Sequence, residues 1–130
     1  QVLAVNVKLV KLEIDSHLTF NEAGDVIFGF LAKPQILTAA GGKEIEFSGY
    51  VTFNEAGDVI KGCLTKPQVL KVPNKKEIEF AGNKYVMFNE AGEVIEGVLA
   101  KPQVLTTIDN EEIEFAGYAQ FNDDGKVSRG

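Results

Sequence analysis

The sequence predicts an all-β protein, an antiparallel meander of about four bent β-hairpin repeats of 33–35 residues. Three observations predict it: an internal repeat, a two-residue alternation of apolar and polar side chains, and a recurring turn motif. The octapeptide Phe53-Asn54-Glu55-Ala56-Gly57-Asp58-Val59-Ile60 recurs at residues 20–27 and as Phe88-Asn89-Glu90-Ala91-Gly92-Glu93-Val94-Ile95. A diverged copy stands at Phe121-Asn122-Asp123-Asp124-Gly125-Lys126-Val127. The phenylalanines at 20, 53, 88 and 121 are 33, 35 and 33 residues apart, and the tags Lys-Pro-Gln (from 33, 66 and 101) and Glu-Ile-Glu-Phe (from 44, 77 and 112) keep that period. The chain divides into units 1–33, 34–66, 67–101 and 102–130 of a single repeat domain.

The outgoing strand of each unit is read from parity. In the second unit Ile45, Phe47, Gly49, Val51 and Phe53 alternate with Glu44, Glu46, Ser48, Tyr50 and Thr52. One face is apolar and the other polar, as in a strand buried on one side. Leu12, Ile14, Leu18 and Phe20 repeat the pattern, as do Ile113, Phe115 and Phe121. The third unit inserts Asn83-Lys84, and two residues preserve parity where one would turn every later side chain over.

The turn comes next. Asn54-Glu55-Ala56-Gly57 has Asn at the first position and a Gly able to take the left-handed conformation that returns the chain to pairing. A three-residue loop would set Lys61 opposite Val51. A four-residue loop pairs Val51 with Ile60, Gly49 with Gly62 and Phe47 with Leu64 on the inside, and Tyr50 with Lys61 and Thr52 with Val59 on the outside, so the longer loop is expected. Residues 28, 61, 96 and 129 are then an outward slot filled by Phe, Lys, Glu and Arg. Paired glycines at mid-hairpin predict a sharp bend that folds each hairpin over its own core.

The return strand then meets Lys66-Pro67-Gln68, where proline removes a ladder donor and predicts a kink or an edge. It resumes at Val69-Leu70 and ends in polar turns at Gly41-Gly42, Pro73-Asn74-Lys75-Lys76 and Asp109-Asn110. A parallel solenoid of the same period would stack Glu44, Glu77 and Glu112 at strand spacing, about 4.8 Å apart. Like charges so placed repel, and the antiparallel meander is expected instead.

Composition narrows the function. The 130 residues carry 45% hydrophobic residues, nine Phe and no Trp, enough for one packed core, and no run approaches a membrane span. A net charge of −6 disfavours nucleic acid, whose phosphates need basic residues. The lone Cys63 fills a slot held by Phe30 and Val98 in neighbouring units and reads as a small apolar residue.

Little chemistry is offered. His17, the single histidine, shares its outward slot with Tyr50, Tyr85 and Tyr118 and has no nucleophile or metal-ligand set around it. The Glu-x-Glu pairs at 44/46, 77/79 and 112/114 read as a solvated strand face, with calcium binding as the alternative. Asn122-Asp123-Asp124-Gly125 lacks the spaced oxygen ligands of a calcium loop, and no phosphate loop or catalytic triad is present. No catalytic residue, metal site or cofactor is therefore expected. The three tyrosines, beside outward Glu and Lys, are the candidate ligand-binding row for a glycan or a peptide.

The hairpin Phe53-Asn54-Glu55-Ala56-Gly57-Asp58-Val59 followed by Gly62 resembles the aromatic–turn–Gly–Val–Gly pattern of bacterial MORN-like hairpin repeats. The resemblance implies a string of antiparallel hairpins with a scaffolding, surface or interaction role. It covers about half of the chain. The period of 33–35, the Lys-Pro-Gln tag and the lack of a Tyr-x-Gly start depart from that family.

The expected protein is thus a non-enzymatic structural or interaction repeat, extracellular or on a bacterial cell surface, without membrane insertion. Gln1-Val2-Leu3 matches Gln35-Ile36-Leu37, and Val127-Ser128-Arg129-Gly130 matches residues 59–62, so the chain opens with the second half of a return strand and closes with the first half of one. If Gln1, Val2 and Leu3 meet Val127 and Arg129 within one molecule, the sheet closes into a ring or barrel; if they meet between molecules, the protein assembles head to tail into a filament or surface layer. A cut from a longer array is the third possibility. The alternative function is a multivalent lectin-like or peptide-binding module built on Tyr50, Tyr85 and Tyr118.

Overall fold

The computed structural model describes the backbone of residues 2–5, 8–11, 14–20, 26–54 and 56–129, and the side chains of residues 28–54 and 56–128. Its strands are β1 (Val2–Val5), β2 (Lys8–Lys11), β3 (Ile14–Phe20), β4 (Val26–Thr38), β5 (Glu44–Phe53), β6 (Val59–Leu64) and β7 (Gln68–Lys71). They continue as β8 (Glu77–Phe80), β9 (Tyr85–Phe88), β10 (Val94–Val98), β11 (Gln103–Thr106), β12 (Glu112–Phe115), β13 (Tyr118–Phe121) and β14 (Val127–Arg129). Apart from one 3₁₀ turn at Ala40–Gly42, the described residues contain no helix.

An eight-stranded antiparallel sheet runs in the order β14-β13-β10-β9-β6-β5-β4-β3. Among the described residues it is open, with β14 and β3 as its two outer strands, so the expected meander is observed and no barrel closure is formed there. Beside it stand three two-stranded ribbons, β1-β2, β7-β8 and β11-β12. A fourth is made by the long strands β4 and β5, whose register jumps between Leu31↔Gly49 and Gln35↔Phe47. Each unit therefore contributes one hairpin to the sheet and one to the ribbons. The switch falls at the Lys-Pro-Gln tag: β6 stops at Leu64 and β7 starts at Gln68. The proline kink is where the chain changes layer.

A single hydrophobic core lies between the layers. The sheet supplies Val51, Phe53, Val59, Val86, Phe88, Val94, Ala119, Phe121 and Val127, and the ribbons supply Leu37, Ile45, Leu70, Ile78 and Leu105. The alternation read from the second unit holds, with Ile45, Phe47, Val51 and Phe53 buried and Glu44 and Tyr50 exposed. Parity also survives the Asn83-Lys84 insertion, since Ile78, Phe80, Val86 and Phe88 are all buried. The matching positions of the first unit, Leu12, Ile14, Leu18 and Phe20, lie outside the described side chains.

The turns correct the expected register. Asn54 N–H donates to the Asp58 carbonyl at 2.9 Å and Gly57 N–H to the Asn54 carbonyl at 3.0 Å. Asn89 with Glu93 and Gly92, and Asn122 with Lys126 and Gly125, repeat both bonds. This is the three-residue loop, a turn closed by a left-handed glycine (Gly57 and Gly92 at φ 84°, Gly125 at φ 75°), not the four-residue one. The objection that Lys61 would face Val51 is removed by irregularities in the ladder. The register slips between Phe53↔Val59 and Thr52↔Lys61, and again between Val51↔Gly62 and Ser48↔Cys63. These bulges keep Lys61 on the outer face opposite Thr52 and restore Phe47↔Leu64. Val59, expected outside, is fully buried opposite Phe53, and Ile60 is half-buried.

The expected pairing of Gly49 with Gly62 is likewise not formed; Gly62 sits opposite Val51, and Gly49 takes a φ of 66° at the slip. The two glycines do different work. A Cβ on Gly62 would lie 2.6 Å from Cδ1 of Phe47, and one on Gly97 would lie 2.9 Å from Cδ1 of Phe80. Each glycine opens the space in which a fully buried phenylalanine ring lies across the sheet.

The side-chain amide of each turn asparagine secures the loop. Asn89 Oδ1 accepts from the N–H groups of Ala91 (3.0 Å) and Glu93 (2.9 Å), and Asn122 Oδ1 from Asp124 (3.0 Å) and Lys126 (2.9 Å). The Glu93 carboxylate in turn accepts from the Lys75 ammonium and from Asn89 Nδ2, which holds its pKa below the ordinary carboxylate value.

Two outcomes are expected. Gly97→Ala destabilises the protein by about 1–3 kcal/mol, seen as a lower urea midpoint with unchanged slope, because the methyl overpacks the Phe80 ring. Glu93 has a folded pKa below its unfolded one, so its contribution is present above the unfolded pKa and is lost as pH falls through the folded one. Urea titrations of Glu93→Gln across the acid range should show a deficit at neutral pH that closes in acid.

Candidate functional site

Alternation that buries one face of the sheet leaves the other to solvent, and the bulges and twist shape that outer face into a groove. Its volume is about 500 Å³, and its walls are Phe28, Tyr50, Tyr85, Met87, Val98 and Tyr118, with Lys61, Lys84 and Glu96 as polar groups. The sequence-predicted row of Tyr50, Tyr85 and Tyr118 is thus brought together in one depression. The three rings are 36%, 42% and 40% exposed, so each is half in the wall and half available.

Repetition sets their spacing. Each tyrosine starts or nearly starts the first main-sheet strand of its hairpin, on β5, β9 and β13, and one intervening strand, β6 or β10, separates neighbours. Two strand steps amount to about 9.4–9.8 Å. Register partners confirm the alignment: Phe30↔Tyr50, Cys63↔Tyr85 and Val98↔Tyr118. Cys63 therefore lies in the slot of Phe30 and Val98, half-buried and free of any disulfide.

Local contacts fix the rings. Tyr50 stacks on Phe28, with centroids 5.1 Å apart and planes at 17°, and meets Phe30 edge-on at 4.7 Å. These aromatic pairs close one end of the groove. Gly49 takes its left-handed φ of 66° at the bulge beside this ring, and a Cβ there would lie 3.5 Å from the Tyr85 hydroxyl, in ordinary contact. At the other end the Tyr118 hydroxyl donates to the Glu96 carboxylate at 2.5 Å.

Phe28, Met87 and Lys84 were not identified as site residues from the sequence. Phe28 had a visible signal, an aromatic in a slot that otherwise carries Lys, Glu and Arg. Lys84 comes from the two-residue insertion, whose signal in the sequence is parity alone.

The remaining candidates are dispersed. The side chain of His17, like Gln1, lies outside the described residues. Val2 and Leu3 are in β1, paired with Lys11 and Val10, and Val127 and Arg129 are in β14 at the edge of the sheet. The Glu-x-Glu pairs sit on the ribbons: Glu46 accepts from the Thr65 hydroxyl at 2.7 Å, and Glu79 lies 3.9 Å from Lys101. Among the described residues no cluster of three or more His, Cys, Asp or Glu side chains could hold a metal ion. No helix there is long and apolar enough to cross a membrane. No protein-family model matches the chain, and no curated protein or solved structure does either.

Because its ring is 42% exposed and belongs to the groove and not to the core, Tyr85→Ala should change folding stability by less than about 1 kcal/mol, measured by urea denaturation.

Proposed function

We propose that this protein is a non-enzymatic interaction module whose working surface is the tyrosine groove. The observation that carries the reading is the convergence of Tyr50, Tyr85 and Tyr118 on one apolar depression large enough for a ligand. A row of rings at a fixed pitch suits an extended chain that offers the same group at the same pitch. A polyproline II peptide advances about 3.1 Å per residue with three residues per turn, or about 9.3 Å per repeat. That is close to two strand steps. Aromatic grooves take such peptides because the extended helix is already ordered before binding, and a proline-rich peptide laid across the strands is the ligand class favoured here. Lys61, Lys84 and Glu96 on the walls supply charge for its flanking residues.

A second reading, head-to-tail self-assembly by strand completion on a cell surface or in an extracellular layer, is supported by a separate feature, the open order of the sheet, in which β14 and β3 each have one strand neighbour among the described strands.

Titration of labelled protein with a proline-rich peptide, followed by amide chemical shifts, tests the first reading. Shifts should map to residues 50, 61, 85, 96 and 118, and Tyr50→Ala and Tyr85→Ala should each weaken binding about tenfold, or about 1.4 kcal/mol, without unfolding. Shifts in the groove with an oligosaccharide and none with the peptide would replace the peptide by a glycan; no shifts there with either would overturn the groove reading.

A further inference from the structure

The outer face of the sheet carries a second row beside the tyrosines. Register partners trace it from strand to strand: Phe28↔Thr52, Thr52↔Lys61, Lys61↔Met87, Met87↔Glu96 and Glu96↔Gln120. Thr52, Met87 and Gln120 each follow a groove tyrosine by two residues, so the second row runs parallel to the first at about 6.6 Å along the strands.

Taken across the sheet, the two rows interleave. The rings stand on β5, β9 and β13, and the charges stand on the strands between them, Lys61 on β6 and Glu96 on β10. A ligand that crosses the strands therefore meets ring, ammonium, ring, carboxylate and ring in turn. Lys61 and Glu96 are themselves two strand steps apart, about 9.4–9.8 Å, with Met87 between them.

Both charges are available to a ligand. Lys61 is exposed and, among the described residues, has no ion-pair partner. Glu96 lines the groove half-buried, and its Oε1 accepts from the Tyr118 hydroxyl at 2.5 Å. That bond holds the carboxylate toward the Tyr118 end of the groove and leaves Oε2 to accept from a ligand donor.

A polyproline II ligand leaves these charges a task that its backbone does not perform. Proline has no N–H and the helix makes no internal hydrogen bonds, so backbone pairing favours neither direction of the peptide across the strands. Rings repeated at one pitch do not distinguish the directions either. Lys61 and Glu96, of opposite sign at the two ends of the row, do.

We propose that Lys61 and Glu96 set the direction and register in which the groove takes a proline-rich peptide. An acidic residue of the ligand lies at Lys61, and a basic residue three positions away in the ligand lies at Glu96. Three residues make one turn of about 9.3 Å, which matches the spacing of the two charges. Residues three apart share one edge of that helix, so the charged pair faces the Lys61–Glu96 row while prolines rest on the rings. Arginine suits the Glu96 end, because a guanidinium binds a carboxylate and also stacks on an aromatic face such as that of Tyr118. This inference rests on the tyrosine-groove reading and names the charge pattern of its ligand.

The test uses isotope-labelled wild-type protein and peptides that carry a nitroxide at the N-terminus. The first peptide is Pro-Pro-Asp-Pro-Pro-Arg-Pro-Pro, and the second has Asp and Arg exchanged. The first should broaden the amides of Phe28 and Thr52 most strongly, since its N-terminus points past Lys61, and the second those of Tyr118 and Gln120. A third peptide, with the arginine of the first moved one position further along, should bind about three- to fivefold more weakly. Broadening at the same end of the groove by the first two peptides, with the third bound as tightly as the first, would overturn the charge register while leaving the groove reading standing. Groove amides unmoved by all three peptides would overturn both.

Discussion

The fold depends on one repeated contact, a phenylalanine ring lying against a glycine. Phe47 covers Gly62 and Phe80 covers Gly97, and both rings are fully buried where the ribbon layer bends over the sheet. A strand of L-residues with ordinary side chains would hold the layers about 10 Å apart. Removing the Cβ at the crossing lets a large ring fill the hinge, so that the outgoing strand can cross from ribbon to sheet without a cavity. The rings then continue outward, Phe47 to Phe88 and Phe80 to Phe121, and link each unit to the next.

From that contact the rest follows in layers. Once the ribbons are pinned over the sheet, their turns and the sheet's turns interleave along one side of the molecule, held by Lys75 with Glu93, Asn74 with Gly125, and Lys126 with Asn110. Burial of one sheet face forces the opposite face outward, and repetition lines up whatever occupies the outward slots. The tyrosine groove is therefore a consequence of periodicity as much as of any single residue.

Much of this was legible in the sequence, because the physical signals are local and repeated. Parity identified the buried Ile45, Phe47, Val51 and Phe53, the two-residue insertion at Asn83-Lys84 left it intact, and the Pro67 tag marked the kink. The turn register was not legible. It hinged on two bulges, one extra residue at Ile60 in β6 and two at Gly49 and Tyr50 in β5, which leave no trace in a pattern that counts only apolar positions. Paired glycines did point to a bend, but their role as seats for Phe47 and Phe80 involves contacts across the core that no linear spacing displays. For the site, shared slots placed Tyr50, Tyr85 and Tyr118 together, whereas Met87 joins them through a pairing, Lys61↔Met87, whose register the bulge at Ile60 sets.

The most direct test of the two-layer account is a solution NMR measurement of the contact on which it rests. In isotope-labelled protein the Hα protons of Gly62 and Gly97 should be shifted upfield and should show strong NOEs to the rings of Phe47 and Phe80, with weaker NOEs from those rings to Phe88 and Phe121. Glycine Hα protons at ordinary shifts without ring NOEs would contradict the account, since the layers would then have to be joined by some other packing.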